Sequence, residues 1–575
     1  MFGAAVCSMV GGGLYFYYCN RSLLPASSGR AHGAQGLTEE GGRAIAAPTD
    51  FEHPLNKRPL LFRWWLVARR VCWLVLVFTP FVVCSGIMLF LNTPAARERW
   101  IRSLVSCLEN AGCSFQKFGQ WMSMRPDMLP PDVIDALSKL RMDVPTHGME
   151  HNDAVIFAAT GMRIPDIFSS FDEIPVASGT VAQVHRAVLK APFSRTGISC
   201  AVAVKVRHPN VEEETFVDID LIFAFINTLG ENFGHFSIPF TKEEFHLVLQ
   251  RQIDFRWEGH NLDRFCNNFE PAPPLLPRSF PSSPDPGNSR DDAGAGWPSK
   301  APAPLNRWRS EVPAPLGQRA TAGGGGVGAG RVCFPQIENA LLSQALLVET
   351  WAPGCTVQSL FDEVGNSFKM LPEQGRVFSE AHRKHKREIA RKVYDVVMKM
   401  FLRDNCIHGD VHAGNVLFCA QTGQITVIDA GVVCQVEEQW RGKFHDFLIA
   451  LCTGDVAPLA ERLLDFNQAK HVDADAFKRD IALMTRKWIA EPGMRVPRAP
   501  DGGPVMLGDL VGEILFTIQR HHLHLRGDIA STIVTMSLVE GLVKQLDPDF
   551  DVVNSALPYF LTYPPPDSRV TVPAR

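Results

Sequence analysis

The interval between residues 271 and 330 constrains the fold most, because it interrupts the chain with a segment that cannot form a core. It holds 12 of the 41 prolines and 10 of the 45 glycines, and its last third includes four consecutive glycines at 323–326. Such a segment buries too little apolar surface to offset the entropy lost on ordering. Apolar, patterned sequence continues on both sides. We therefore predict a disordered insertion at 271–331 inside a folded domain.

The whole chain has the composition of a globular protein. Of its 575 residues 46% are apolar and 21% charged, and the formal net charge is −4. This balance, without a basic block, argues against a nucleic-acid partner. The 14 cysteines include no Cys-x-x-Cys pair, which disfavours zinc ribbons and thioredoxin-like sites. Several cysteines lie in apolar runs, so we expect a reducing compartment.

Two stretches near the N-terminus indicate targeting and a membrane. Residues 1–62 start with an uncharged run, and their first acidic residue is Glu39. Scattered Arg, Ser and Ala without acid are typical of an organelle-targeting segment, although a signal anchor would share these features. Residues 71–91, within the segment 63–95, are again uncharged. A helix of that length spans about 30 Å, so we favour a single membrane span over a buried helix of a soluble core.

The order of the remaining segments indicates an α+β, bilobal architecture. Residues 96–165 show helical spacing of apolar residues, and residues 166–350 mix strands and helices around the insertion. Residues 351–560 are mainly helical, and a tail follows at 561–575. Two unequal lobes follow from this order.

Four separated motifs fit the transfer of a phosphoryl group. Asp410 and Asn415 have the spacing of a kinase catalytic loop, in which the Asp orients or deprotonates a hydroxyl and the Asn coordinates a metal. Asp429 follows an apolar strand and begins Asp-Ala-Gly, where a carboxylate serves Mg²⁺. Lys205 alternates with valines on a predicted strand and requires anionic partners. Nucleotide phosphates and a helical Glu, which we assign to Glu258, would supply them.

Each motif alone has an ordinary structural explanation, such as an exposed Lys on an edge strand, a turn, or a core histidine. Their joint order favours a two-lobed phosphotransferase. The turn before the Lys205 strand consists of small residues, which allow backbone N–H groups to approach phosphates, although a plain hairpin has the same pattern. It lacks G-x-G-x-x-G, which disfavours an ordinary protein kinase. The predicted nucleotide contacts are Ala177, Ser178, Gly179, Thr180, Val181, Lys205 and Glu349, the last of which lies in a short apolar strand.

The chain resembles the UbiB family, also called aarF-domain-containing atypical kinases, and within it the mitochondrial member-two branch. The most specific likeness is the family's K-x-G-Q motif, which begins at Lys117 and ends at Gln120, with similar sequence continuing to residue 145. The nucleotide loop differs from the family's alanine-rich loop at 178–180. Gln252 stands where the family usually has Glu, and Ala430 where kinases have Phe.

The resemblance implies a protein-kinase-like fold in which the K-x-G-Q helices cover the protein-substrate groove, with Lys117 and Gln120 as family-specific regulatory residues. It implies binding of ATP with Mg²⁺, an atypical kinase or ATPase activity with unknown phosphoacceptor, and support of ubiquinone (coenzyme Q) biosynthesis. The implied location is a mitochondrial membrane, the inner one. The implied partners are that membrane, a lipid-like small molecule or lipid-pathway enzymes, and a protein complex.

Two alternative functions stay open. A small-molecule phosphotransferase of the aminoglycoside-kinase type also uses His-Gly-Asp followed by Asn, but the K-x-G-Q segment speaks against it. A pseudokinase scaffold would bind nucleotide without turnover. The complete catalytic set speaks against the scaffold, whereas Gln252 and Ala430 leave it open.

Overall fold

The computed structural model describes residues 59–91, 93–123, 129–138, 140, 146–233, 242–269, 332–359, 361, 372–469, 472–488 and 506–563. The predicted targeting segment up to residue 58, the predicted insertion and the last twelve residues lie outside these ranges.

Helices and strands alternate in the first half of the chain, and helices dominate the second. The helices are α1 (Leu60–Leu91), α2 (Pro94–Ala111), α3 (Cys113–Ser123), α4 (Pro131–Ser138), α5 (Met149–Thr160), α6 (Ile164–Ile167), α7 (Val211–Phe233), α8 (Lys242–Ile253), α9 (Phe255–Phe269), α10 (Pro372–Lys399), α11 (Glu438–Thr453), α12 (Val456–Asp465), α13 (Ala474–Trp488), α14 (Leu507–Arg520), α15 (Gly527–Leu546) and α16 (Val552–Thr562). The strands are β1 (Phe168–Phe171), β2 (Ala177–Ser178), β3 (Ala182–Leu189), β4 (Cys200–Arg207), β5 (Val332–Cys333), β6 (Ile337–Leu342), β7 (Leu346–Thr350), β8 (Cys355–Thr356), β9 (Ile407–His408), β10 (Val416–Cys419), β11 (Gln424–Val427) and β12 (Val433–Cys434). The predicted mixed, bilobal architecture is confirmed.

An antiparallel six-stranded sheet forms the smaller lobe. Its order is β1-β3-β4-β7-β6, with β2 paired to β3. On β4, Val202, Val204 and Val206 are completely buried in a core shared with α5 and α6. Because side chains alternate along a strand, Lys205 faces the opposite side of the sheet. On this face β4 carries two charged side chains, Lys205 and the terminal Arg207. Arg207 pairs with Glu212, so Lys205 is the one that the strand presents to the space between the lobes.

The larger lobe packs its helices around one continuous core and carries two small sheets. The sheet orders are β5-β11-β10-β8 and β12-β9. Helix α15 is apolar enough to cross a membrane by composition, but it buries Ile529, Ile533 and Val543 in this core. Strand β5 pairs with β11 and so belongs to this lobe's sheet, although the sequence placed residues 332–333 in the smaller lobe. Two residues carry no periodicity from which a partner strand could be inferred.

The predicted K-x-G-Q extension forms a separate core between the lobes and α1. Helices α2, α3 and α4 pack with α7 and α8 around Phe115, Leu137 and Phe216. Gly119, inside the K-x-G-Q motif, packs closely on its neighbours, because a Cβ there would lie 2.6 Å from a Leu140 methyl group and 3.1 Å from a Leu108 methyl group. A larger residue at this position would displace these two side chains.

Helix α1 is longer than the predicted span at 71–91 and begins at Leu60, so three arginines lie inside it rather than beside it. Arg70 is among them and is only 8% exposed. Its guanidinium donates hydrogen bonds of 2.7 and 2.8 Å to Asp218 on α7. Burial raises the pKa of Asp218 to about 6, and the Arg70 pair opposes that rise. The ion pair fixes the first third of α1 to the folded domain.

The remainder of α1 is apolar on two sides. One side packs on α2, where the Trp100 indole donates a 2.8 Å hydrogen bond to the Ser85 hydroxyl. The other side exposes large apolar residues: Trp73, Leu76, Val83, Ile87 and Phe90. By length and composition Leu60–Met88 qualifies as a candidate membrane span.

Candidate functional site

Lys205 lies at the centre of the site between the lobes. Its ammonium forms an ion pair with Glu258 on α9 and lies 3.4 Å from a carboxylate oxygen of Asp429. Glu258 is 4% exposed, whereas the Asp429 side chain is 49% exposed. One cation therefore connects the small-lobe sheet, a helix and the loop that follows β11.

The charges of this group stabilise one another. Burial alone would lower the pKa of Lys205, but the carboxylates of Asp429 and Glu258 raise it. The Lys205 ammonium lowers the pKa of Asp429 to about 2. At neutral pH, Lys205 and Asp429 are therefore both ionised.

Glu349 lies at the bottom of the site on β7. It stands opposite Ala203 in the sheet, one diagonal step from Lys205 on the same face. It is 4% exposed, and its Oε2 atom has no hydrogen-bond partner among the described residues. Burial raises its pKa to about 8, against the effect of Lys205. At pH 7 Glu349 is thus a neutral carboxyl group that can donate a hydrogen bond.

The catalytic-loop residues are held by backbone hydrogen bonds. The side-chain amide of Asn415 donates a 3.0 Å hydrogen bond to the backbone carbonyl of Asp410. The Ile428 N–H donates a 2.9 Å hydrogen bond to the backbone carbonyl of Asn415. This second bond places Asn415 beside Asp429. His408 is completely buried, and its Nε2 lies 3.1 Å from the Ile428 carbonyl while its Nδ1 accepts from the Asp410 N–H. The sequence left His408 open as a core histidine, and the structure shows that it joins both loops.

The loop of small residues is a hairpin whose turn is fixed from two sides. Ala177 and Ser178 form β2, and the Gly179 N–H donates a 2.8 Å bond to the Ala182 carbonyl. Thr180 is 5% exposed and hydrogen-bonds the thiol of Cys113 on α3. The Val181 carbonyl accepts a 2.9 Å bond from the backbone of His208. The predicted phosphate loop is therefore a hairpin attached to the K-x-G-Q helix.

The K-x-G-Q helix also contributes charge to the site. Lys117 lies close enough to the carboxyl groups of Asp429 and Glu258 to act on them: after Lys205, its ammonium also lowers the pKa of Asp429, and it opposes the rise that burial causes in the pKa of Glu258. The buried amide nitrogen of Gln120 and the buried amide oxygen of Gln252 have no hydrogen-bond partner among the described residues. A buried polar group without a partner costs about 1–3 kcal/mol, so both amides are available to a ligand or to an altered packing of these helices.

Two residues that shape the site belong to none of the motifs described above. The Asn261 amide donates a 2.9 Å hydrogen bond to the Ala430 carbonyl and so holds the Asp429 loop. Gly354 lies in the linker between the two lobes with φ of 110°, and a Cβ there would collide with the Phe418 carbonyl. A Pro-Gly pair at 353–354 could have indicated this turn, whereas nothing distinguishes Asn261 from a surface asparagine.

The donor set fits a magnesium ion and a nucleotide. Asp429 offers an ionised carboxylate, and Asn415 offers an amide oxygen because its amide nitrogen is already donating. Oxygen ligands of this kind suit Mg²⁺. Nearby, Lys205 supplies a cation for phosphates, and backbone N–H groups of the hairpin turn are neutral hydrogen-bond donors for the same anions.

The chain is similar to known proteins over most of its length. The ABC1 atypical kinase-like domain matches residues 139–276 and 328–463. A probable serine/threonine-protein kinase of Dictyostelium discoideum, abkC, is 24% identical, with 81% of this chain and 65% of that protein covered. A mitochondrial ABC1 family protein of Schizosaccharomyces pombe is 23% identical, with 84% and 70% covered. A probable protein kinase UbiB of Azotobacter vinelandii is 24% identical, with 79% and 69% covered. The chain thus spans about two thirds of the length of these relatives.

The buried carboxyl of Glu349 makes stability depend on pH. The folded pKa of about 8 lies above the ordinary value, so from about pH 5 to pH 8 the folded state keeps a proton that the unfolded state has lost. Stability of the wild type should therefore fall as pH rises through this window, by up to about 1.4 kcal/mol per pH unit. Glu349→Gln should remove this component. Denaturant unfolding of both proteins from pH 5 to pH 8.5 measures it, and parallel curves would show that Glu349 is ionised in the folded state.

Proposed function

Because the chain carries an ABC1 atypical kinase-like domain and its relatives are ABC1/UbiB family proteins, we propose that it binds ATP with Mg²⁺ and acts as an atypical kinase or ATPase. The observation that carries the proposal is the ion pair of Lys205 with Glu258, with Asp429 3.4 Å from the same ammonium. Phosphoryl transfer depends mainly on positioning and charge, and this arrangement supplies both.

Each residue of the site has a role in the proposed reaction. Lys205 contacts the phosphates, and Glu258 holds its ammonium in place. Asp410 accepts the proton of the attacking hydroxyl or water, since its side chain is one-third exposed and faces solvent. Asn415 and Asp429 would hold the magnesium ion, which would neutralise negative charge on the phosphates.

The K-x-G-Q helix favours this function over the two alternatives. Its Lys117 contributes positive charge next to Asp429 and Glu258, a feature that an aminoglycoside-type phosphotransferase does not require. Ala430 is completely buried, and its carbonyl is bonded by Asn261, so the missing Phe does not leave the Asp429 loop unsupported. Both observations support turnover rather than a scaffold that only binds nucleotide.

We also propose that the protein works at a mitochondrial membrane, the inner one, in support of ubiquinone biosynthesis or a related lipid pathway. Relatives from two yeasts are named as mitochondrial, and others are named UbiB. Helix α1 supplies an uncovered apolar face for lipid. A lipid-like small molecule or a lipid-pathway enzyme would then be the partner.

Purified full-length protein should hydrolyse ATP with Mg²⁺, in the presence or absence of anionic liposomes. Asp429→Asn removes the ionised oxygen donor and should lower turnover at least a hundredfold. The matched control is Asp480→Asn, because Asp480 is a carboxylate of the larger lobe that pairs with Arg520 and His521 away from the site.

Turnover unchanged by Asp429→Asn would contradict the metal assignment. Tight nucleotide binding by the wild type without hydrolysis under any of these conditions would favour the scaffold. Product analysis with a soluble aminoalcohol acceptor tests the small-molecule phosphotransferase in the same assay.

Membrane attachment through α1 is tested by alkaline carbonate extraction of mitochondria. The wild type should stay with the membrane pellet, because the exposed face of α1 is apolar. Replacing Leu76 and Ile87 by Glu should release at least half of the protein. Ile198→Glu is the control, since Ile198 is 69% exposed in the smaller lobe and lies outside α1. Release of the wild type into the supernatant would refute an integral helix.

A further inference from the structure

Four histidines gather behind the nucleotide loop, and the proposed reaction uses none of them. They are His147 before α5, His151 on α5, His185 on β3 and His208 after β4. The Nδ1 atoms of His147 and His208 lie 2.8 Å apart. Two ligands of one tetrahedral zinc ion would lie about 3.3 Å apart, so this contact is a hydrogen bond with one proton between two rings.

The hydrogen-bond partners of His147, at one end of the pair, determine which of its ring nitrogens carries a proton. Nδ1 of His185 lies 2.7 Å from the Asp172 carbonyl, so Nδ1 carries the proton and Nε2 accepts. That Nε2 lies 3.1 Å from the amide nitrogen of Asn152 and 2.9 Å from that of Gln183. The amide oxygen of Asn152 therefore faces Nε2 of His147, at 2.8 Å. A carbonyl oxygen only accepts, so Nε2 of His147 must carry a proton.

The other end reaches the nucleotide loop. Nε2 of His208 lies 3.0 Å from the carbonyl oxygen of Gly179, so this nitrogen must also carry a proton. The hydrogen bond between the two Nδ1 atoms needs a third proton. The complete network therefore requires three protons, whereas two neutral imidazoles bring only two. With all its hydrogen bonds formed, the His147–His208 pair carries one positive charge.

Without an added anion this charge is unfavourable. Burial lowers the pKa of His147 to about 4 and also lowers the pKa of His208. A cavity of about 210 Å³ beside His208 lets the pair exchange protons with solvent. The titratable and charged groups around the pair are His151 on α5, His185 on β3, Arg207 next to His208, and Glu212 and Glu213 at the start of α7. Of these, Glu212 is already paired with Arg207.

We propose that binding of a nucleotide is linked to the uptake of one proton by the His147–His208 pair, which then fixes the Gly179 carbonyl and the turn around it. The inference rests on the proposed function, because the phosphates of a nucleotide held by residues 177–181 supply the anion that favours the third proton. The proton comes from solvent, and no bond other than N–H is made or broken. His147 and His208 are thus positioning residues for the nucleotide.

Because the pKa of free His147 is about 4, the linkage predicts that affinity for Mg-ATP rises as pH falls from about 7 to about 5, by up to tenfold per pH unit. Calorimetric titration of the full chain in detergent with Mg-ATP, in two buffers of different ionisation enthalpy, counts the protons taken up. His208→Gln retains a donor for Gly179 but cannot hold the third proton. The variant should therefore take up as much as one proton fewer than the wild type at about pH 6.

Two further variants separate linkage from simple loss of packing. His147→Gln removes the same proton from the other end and should give the same deficit. His151→Gln is the matched control, because His151 touches the His147 ring but, among the described residues, hydrogen-bonds the Arg207 carbonyl and not the pair, so its proton count should equal that of the wild type. Equal proton counts in the wild type and both pair variants would overturn the inference and leave the proposed function intact. A wild type that binds no Mg-ATP would overturn both.

Discussion

The ion pair between Lys205 and Glu258 is the contact on which the arrangement of the site depends. A Lys on a strand whose other face is packed with valines has few solvent contacts, so its charge must be balanced inside the protein. Glu258 and Asp429 balance it from α9 and from the larger lobe. Because a buried pair of this kind is costly to break from one side, it fixes the position of α9 against the sheet.

Several weaker contacts further fix α9, the catalytic loop and the Asp429 loop relative to one another. His408 bonds the backbones on either side of the site, and Asn261 extends from the Glu258 helix to the Asp429 loop. The K-x-G-Q helix adds the charge of Lys117 from a third direction and bonds the nucleotide turn through Cys113. Arg70 of α1, which pairs with Asp218, also donates to the Ala111 carbonyl just before this helix begins at Cys113, so a change at that ion pair would reach the nucleotide turn through the start of α3.

The sequence predicts those parts of the site in which a residue has a single physical role that its local pattern reveals. A Lys alternating with valines predicted both the strand and the face, and Asp-x-Gly after an apolar strand predicted a carboxylate at a strand end. Other features depend on chain segments that meet only in the folded protein. Asn261, the pairing of β5 with β11 and the shared proton of the histidine pair belong to this class. The sequence predicts a later start for α1 than Leu60, because arginines usually flank a membrane helix. In the structure Arg70 lies inside α1 and pairs with the buried Asp218.

Equilibrium binding of fluorescent Mg-ATP to the full chain, measured for Lys205→Met, Glu258→Gln and the double variant, tests the dependence on this ion pair most directly. If Glu258 acts by holding Lys205, each single variant should lose at least tenfold in affinity, and the double variant should lose no more than the worse single one. Losses that multiply in the double variant would show that the two residues act independently and would contradict the account.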